Sequence, residues 1–279
     1  MSGGDERAAV SVVIPCFQAA ATIGRALASV AGQSLRPYEV IIVDDASEAE
    51  TREVLRGLEI EYGRDWLKVH FLSDNRGPAA ARNHGWERAT QPYVAFLDAD
   101  DSWHRDKTAL QFSFMRRYPE IDLTACNCGG PENLVRRLPK IFQVQRYSLR
   151  QLLFRNRLRT QAVMLKRAII LRFPEQMRFS EDYYLWLNLL AAGSSAAIIN
   201  LPLAAIYKPA FGAAGLSAEL WRMERGELEA LQAARRRGSV PLPLWSGAVV
   251  WSLLKFLRRL WLTRLHLFTF KLKCGLVRL

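Results

Sequence analysis

Three apolar runs, each breaking off into polar or acidic residues, constrain this chain more than any other feature. VSVVIP, EVIIVDDAS and YVAFLDADDSW are continuous rather than alternating in hydrophobicity, as strands covered on both faces must be. Between them TIGRALASVAGQ, ETREVLRGLEIEYG and residues 79–90 carry helical spacing, with Thr22 as a candidate N-cap for the first. LKVHFL reads as a further short strand, and Asn75 to Pro78 as a loop. Strands alternating with helices predict an α/β fold with a mostly parallel central sheet flanked by helices. In such sheets ligands bind beyond the carboxyl ends of the strands.

The acidic residues fall at those ends. Asp44 and Asp45 close one run; Asp98, Asp100 and Asp101 close another. Like charges this close repel and are costly to bury, whereas oxygen ligands of this kind suit a hard divalent cation such as Mg²⁺ or Mn²⁺. The competing expectation is that Asp and Ser before HRDKTALQF cap a helix. Two acidic clusters at one sheet edge favour the ligand reading.

Further along, the pattern predicts helices at RDKTALQFSFMRRY, SLRQLLFRN and DYYLWLNLLAAG, a turn-rich CNCGGPEN, and strands at QAVMLK and IINLPLAAIY. The four cysteines are scattered, and the single residue between Cys126 and Cys128 fits neither a zinc knuckle nor a redox pair. Reduced thiols are expected. MSGGDERAA has no apolar core of signal-peptide length, so the catalytic region is expected in the cytoplasm.

Taken in order, VSVVIPCF, VIIVDDAS, DNRGPAAARNHG, YVAFLDADDSW and SEDYYLWLNLLAAG resemble the successive signature blocks of the inverting family 2 glycosyltransferases, over about residues 10 to 210. The resemblance implies a GT-A fold with a nucleotide-binding half and an acceptor-binding half. It also implies transfer of one sugar from a nucleotide diphosphate sugar, UDP-linked by expectation, to an acceptor hydroxyl. Pro15 and Phe17 would form the floor near the base, Phe17 by stacking unless it packs in the core. Asp45 would accept from the uracil ring, Asp44 would shape the nucleoside pocket, and Arg82 would reach the nucleoside or diphosphate unless it is a surface residue paired with Glu87. Asp98 and Asp100 would grip the metal, Asp100 most directly. Asp182 would be the general base, with Glu181 as the alternative, unless Ser180, Glu181 and Asp182 merely cap a helix. Trp186 is expected in the core or beneath the acceptor.

The chain departs from the family pattern at Phe17-Gln18, at Ala49, and after Tyr207-Lys208, where PAFGAAGLS has no histidine. The Gln-x-x-Arg-Trp motif of processive synthases is also missing, which favours single-sugar transfer. The implied role lies in surface polysaccharide, lipopolysaccharide or glycolipid synthesis. The alternative is a non-catalytic nucleotide-sugar-binding or scaffolding protein of the same fold.

The charge divides the chain. The net charge of +12 lies mostly in the tail: ten Lys and Arg follow residue 229 and no Asp or Glu does. Residues 1–235 are expected to form the catalytic domain (about 10–103 for the nucleotide sugar, 104–235 for the acceptor), and 236–279 a basic, apolar helical tail. The tail has no uncharged apolar run of spanning length. It is expected to be two helices, or one interfacial segment on an anionic cytoplasmic membrane, or a cover for the body's apolar surface. Nucleic acid is not an expected partner, because apolar residues dominate between the charges.

Overall fold

The computed structural model describes residues 7–134, 138–139, 141–207 and 219–275, with 263–275 as backbone alone. The expected alternation is present: β1 (Ala8–Cys16), α1 (Ala20–Ala31), β2 (Pro37–Asp44), α2 (Ala49–Tyr62), β3 (Leu67–Phe71), α3 (Pro78–Arg88) and β4 (Tyr93–Phe96). β5 (Ser102–Trp103), α4 (Lys107–Arg117), β6 (Leu123–Gly129), β7 (Val144–Tyr147) and α5 (Leu149–Phe154) follow. The described chain ends with β8 (Met164–Lys166), α6 (Glu181–Ala191), β9 (Ala196–Ala205), α7 (Leu220–Arg236) and α8 (Leu242–Gly275).

One sheet joins all nine strands, in the order β3-β2-β1-β4-β8-β6-β9-β5, with β7 also paired to β9. β3, β2, β1 and β4 are mutually parallel, and so are β6 and β9. β8 runs antiparallel between β4 and β6. That single reversal leaves β6 and β9 parallel to β4. The ends of β1, β2, β4, β6 and β9 and the start of β8 therefore share one edge.

Alternate residues explain the two layers. Val12, Ile14, Val40 and Ile42 pack with Ile23 and Leu27 of α1, Leu55 of α2 and Met115 of α4. Val13, Ile41 and Val43 face the other way, toward Trp86 of α3, Leu152 of α5, Trp186 of α6, Leu231 of α7 and Ala248 of α8. Both faces being covered is what made the runs continuous.

Several expectations need correction. α1 begins at Ala20, and Thr22 caps nothing; its hydroxyl donates to the Ala19 carbonyl. CNCG is strand rather than turn, because β6 follows β9 across a bulge at Asn127. Of QAVMLK, only Met164–Lys166 is strand, and Thr160–Ala162 forms one 3₁₀ turn. The tail is not two helices. It is one 34-residue helix, and its first turns pack on α5 and α7 with Ala248, Ser252 and Phe256 buried. The expected histidine-free stretch PAFGAAGLS lies outside the described residues.

Candidate active site

The shared sheet edge is laced loop by loop. Gln18, just past β1, sits at φ 48°, and Ala46, just past β2, at φ 59°. A side chain in this left-handed region costs roughly 1–2 kcal/mol. Two hydrogen bonds hold the loops there: Gln18 N–H donates to Ser47 Oγ (2.9 Å), and Gln18 Oε1 accepts from Glu48 N–H (3.4 Å). The departure at Gln18 thus has a job at the start of α2. Pro15 is partly buried in β1, and Phe17 is 52% exposed, which rules out core packing for its ring.

Asp45 clamps the next loop. Its Oδ1 accepts from Arg76 N–H (2.8 Å) and its Oδ2 from Gly77 N–H (2.7 Å). Gly77 has φ 89°, a conformation that favours glycine, and it leads into Pro78 at the first turn of α3. Asp44 is fully buried, with Oδ2 taking Ser47 N–H (3.2 Å) and the Arg52 guanidinium (3.3 Å). Its Oδ1 has no hydrogen-bond partner.

Arg82 joins the two acidic motifs. It is not a surface residue paired with Glu87. It is buried, Nη2 donating to Asp98 Oδ1 and Nη1 to Glu181 Oε1, both at 2.8 Å. Glu181 is therefore held in an ion pair with Arg82. Neighbouring Asp182 is not in an ion pair: its oxygens meet Tyr183 N–H (2.6 Å) and the Thr160 hydroxyl (3.3 Å). Burial first, then the Glu181 charge, lifts its carboxyl to about 7. A carboxyl near the working pH is suited to accepting a proton.

Neither acidic cluster is a helix cap. β5 lies between the DADD residues and α4, whose N-cap Asp106 makes no side-chain cap bond. Ser180 precedes α6 in the left-handed conformation, φ 57°, and its side chain caps nothing either. Three such strained residues at one edge, Gln18, Ala46 and Ser180, are what pre-organised sites accumulate. Trp186 is fully buried against Phe173 and belongs to the core.

Asp98 and Asp100 remain as candidate metal ligands. Asp98 keeps one oxygen clear of Arg82, and no described group of three or more His, Cys, Asp or Glu could hold a metal. Two carboxylates with substrate phosphates fit Mg²⁺ or Mn²⁺, which seldom take an all-protein cage. Sequence reasoning missed three supports of this site. Thr160 touches Asp182. Arg25 donates to the Asp100 carbonyl (2.6 Å) and lies 3.6 Å over the Tyr207 ring. Tyr207 OH in turn meets Ser102 Oγ at 3.2 Å. None has a local sequence signal, because each works through partners far along the chain.

The loops just described lie within a segment, residues 11–173, that matches the family model described as Glycosyl transferase family 2. The chain belongs to glycosyl transferase family 2. The match stops short of Glu181 and Asp182. Among relatives, the putative teichuronic acid biosynthesis glycosyltransferase TuaG of Bacillus subtilis is 43% identical over 106 residues, 38% of this chain and 41% of its own length. Escherichia coli WfgD is a UDP-Glc:alpha-D-GlcNAc-diphosphoundecaprenol beta-1,3-glucosyltransferase. It is 28% identical over 195 residues, covering 68% of this chain and 72% of WfgD. In fold, the mannosyltransferase PcManGT of Pyrobaculum calidifontis, solved with GDP-Man and Mn²⁺, aligns at TM-score 0.67. The identity is 19%, over 97% of this chain and 81% of that one. The family 2 chain thus has the GT-A architecture expected of it, and it is a glycosyltransferase.

Proposed function

We propose that this glycosyltransferase moves one sugar from a UDP-sugar to a hydroxyl of a lipid-linked glycan during cell-surface polysaccharide synthesis, with inversion. One observation carries the reading: Arg82 ties Asp98 to Glu181 and leaves Asp182 beside them as a carboxyl lifted to about 7. The acceptor hydroxyl gives its proton to Asp182 as its oxygen bonds to the anomeric carbon. The bond from that carbon to the diphosphate breaks, and its electron pair leaves with the diphosphate. Attack opposite the leaving group inverts the centre. Asp98 and Asp100 would hold Mg²⁺ or Mn²⁺, which when bound offsets charge on the diphosphate. Phe17, exposed at the edge beside Pro15, would stack on the base, while Asp44, Asp45 and Arg82 shape the pocket. The activity of WfgD supports the donor and acceptor classes, and the teichuronic acid role of TuaG the polysaccharide setting.

The reading places the enzyme on the inner membrane face through α8. That helix turns Val250, Leu253, Leu254, Leu257 and Trp261 outward, each 41–62% exposed. Its inner side buries Ala248 and Phe256 and carries a polar cluster, in which Lys255 (3.2 Å) and Arg259 (2.9 Å) pair with Glu227 of α7 and Ser252 also donates to it. An apolar outer face on a basic helix without acids suits an anionic bilayer. Among the described residues no helix is long and apolar enough to cross a membrane.

Calorimetric titration with UDP, GDP, CMP and dTDP, with and without Mn²⁺, tests the donor site. One nucleotide is expected to bind in a metal-dependent manner, and Asp100→Ala should weaken it by at least about tenfold. Absence of binding by all four, with folded protein and metal present, would overturn the donor reading.

A further inference from the structure

Arg155, Arg157 and Arg159 form a row that the transfer chemistry above does not use. They follow the C-terminus of α5, where the chain is extended at Arg155 (φ −149°, ψ 109°) and at Arg159 (φ −71°, ψ 138°). Alternate residues of an extended segment share a side. Arg155 and Arg159 are exposed, Leu158 is fully buried, and Arg157 is partly buried where its guanidinium reaches the sheet. The row ends at Thr160, whose hydroxyl touches Asp182.

These cations lack the counter-charges found elsewhere on the molecule. Among the described residues no carboxylate lies within ion-pair distance of any of the three, while Arg52, Arg76, Arg82, Arg146 and Arg259 each have one. Arg157 is partly buried and held by neutral groups instead, its Nη2 donating at 2.7 Å to Asn127 Oδ1 and at 2.7 Å to Asn200 Oδ1. Two amide oxygens fix the guanidinium without cancelling its charge. A positioned, uncompensated guanidinium at a site rim is a phosphate receptor, since its planar donors match phosphate oxygens in pairs. Arg159 is near enough to the C-terminal end of β6 for its charge to act on Cys128.

The other end of the row meets the tail. Trp251 of α8, half-exposed, donates through Nε1 to the Phe154 carbonyl at 3.0 Å, one residue before Arg155. The segment thus joins the Trp251 contact on α8 to the Thr160 contact with Asp182, turning at Asn156, whose Oδ1 accepts from Leu158 N–H at 2.9 Å. Its five residues could span at most about 16 Å if fully extended.

We propose that Arg155, Arg157 and Arg159 bind the phosphates of an acceptor sugar carried on a lipid through a diphosphate. The lipid lies along α8, and the sugar hydroxyl reaches Asp182. This inference rests on the transferase reading and adds the acceptor's chemical class.

Geranyl diphosphate, an alkyl diphosphate without sugar, is the probe. The full chain is titrated with it calorimetrically, with and without saturating nucleotide and Mn²⁺. Arg157→Gln is expected to weaken binding about tenfold, and the exposed Arg155→Gln and Arg159→Gln, which leave the fold untouched, by several-fold. Nucleotide affinity should stay within about twofold of wild type, since the donor edge is intact. Unchanged affinity for the probe in all three variants, or its displacement by nucleotide, would overturn the proposal. So would a parallel loss of binding to vesicles of equal parts phosphatidylglycerol and phosphatidylcholine, which would make the row a bilayer contact. If no nucleotide binds wild type while the probe still does, the donor reading fails and the arginine site stands.

Discussion

At Asp182 the same burial that equips a base also costs stability. Its carboxyl is lifted from 3.8 to about 7 by desolvation and by the Glu181 charge. Because the folded value exceeds the unfolded one, the group favours folding while protonated. That contribution is fully present below pH 3.8 and is lost as pH rises through about 7. The proposed base must be ionised to act, so kcat/KM should rise with pH to a plateau above about 7. Asp182→Asn should reduce kcat by about 10²–10⁴-fold with nucleotide affinity kept. The same variant should gain about 4 kcal/mol of unfolding free energy at pH 8 and nothing at pH 3.5, read by urea melts at both values. A flat pH profile, or a variant no more stable at pH 8, would remove Asp182 from the role. The sequence could nominate Glu181 and Asp182 together but not choose between them. What distinguishes them in the structure is Arg82, about a hundred residues earlier, which pairs with Glu181 and not with Asp182.

Among the elements, α7 was not anticipated from the sequence, although its Ala, Leu, Glu and Arg residues carry helical spacing, and it makes one of the more consequential contacts. It packs along α6 through Gly226, where an added Cβ would lie 2.5 Å from the Phe179 carbonyl and 3.1 Å from Ser180 Cβ. Ser180 Oγ also donates to the Met223 carbonyl at 3.2 Å. The strained turn that presents Glu181 and Asp182 is thus pinned from behind. Gly226→Ala should cost about 1–3 kcal/mol by overpacking, seen as a lower Tm, and should lower kcat more than nucleotide affinity. An alanine variant with unaltered kcat would show that α7 does not support the turn. The strands β1, β2 and β4 were legible because covering both faces leaves an unbroken apolar run. β6 was not, since Gly129 and Gly130 imitate a turn while the bulged pairing to β9 carries the strand as far as Gly129. β8 was overextended for a related reason: Ala162 closes a buried 3₁₀ turn, and buried Val163 gives β4 only one bond, its carbonyl accepting from Phe96 N–H at 3.3 Å.

Across the whole molecule, charge and apolar surface are arranged by position along the chain. The first 229 residues hold 29 basic and 27 acidic groups, and every later charge is positive. That division was plain in the sequence. How the tail meets the body was not, because helical projection scatters its cations. Two of them, Lys255 and Arg259, turn inward to Glu227, leaving aliphatic and indole groups outside. Leu254→Glu with Leu257→Glu should therefore leave the fold and nucleotide binding intact, yet abolish flotation with phosphatidylglycerol vesicles. Retained flotation would show that another surface binds the lipid. If α8 does rest on a bilayer, that inverted helix changes the dimension in which the enzyme searches. Enzyme and acceptor then diffuse in one sheet of lipid, and collisions are set by molecules per unit area rather than per unit volume. Adding inert lipid at a fixed bulk amount of acceptor would slow turnover simply by spreading the reactants farther apart.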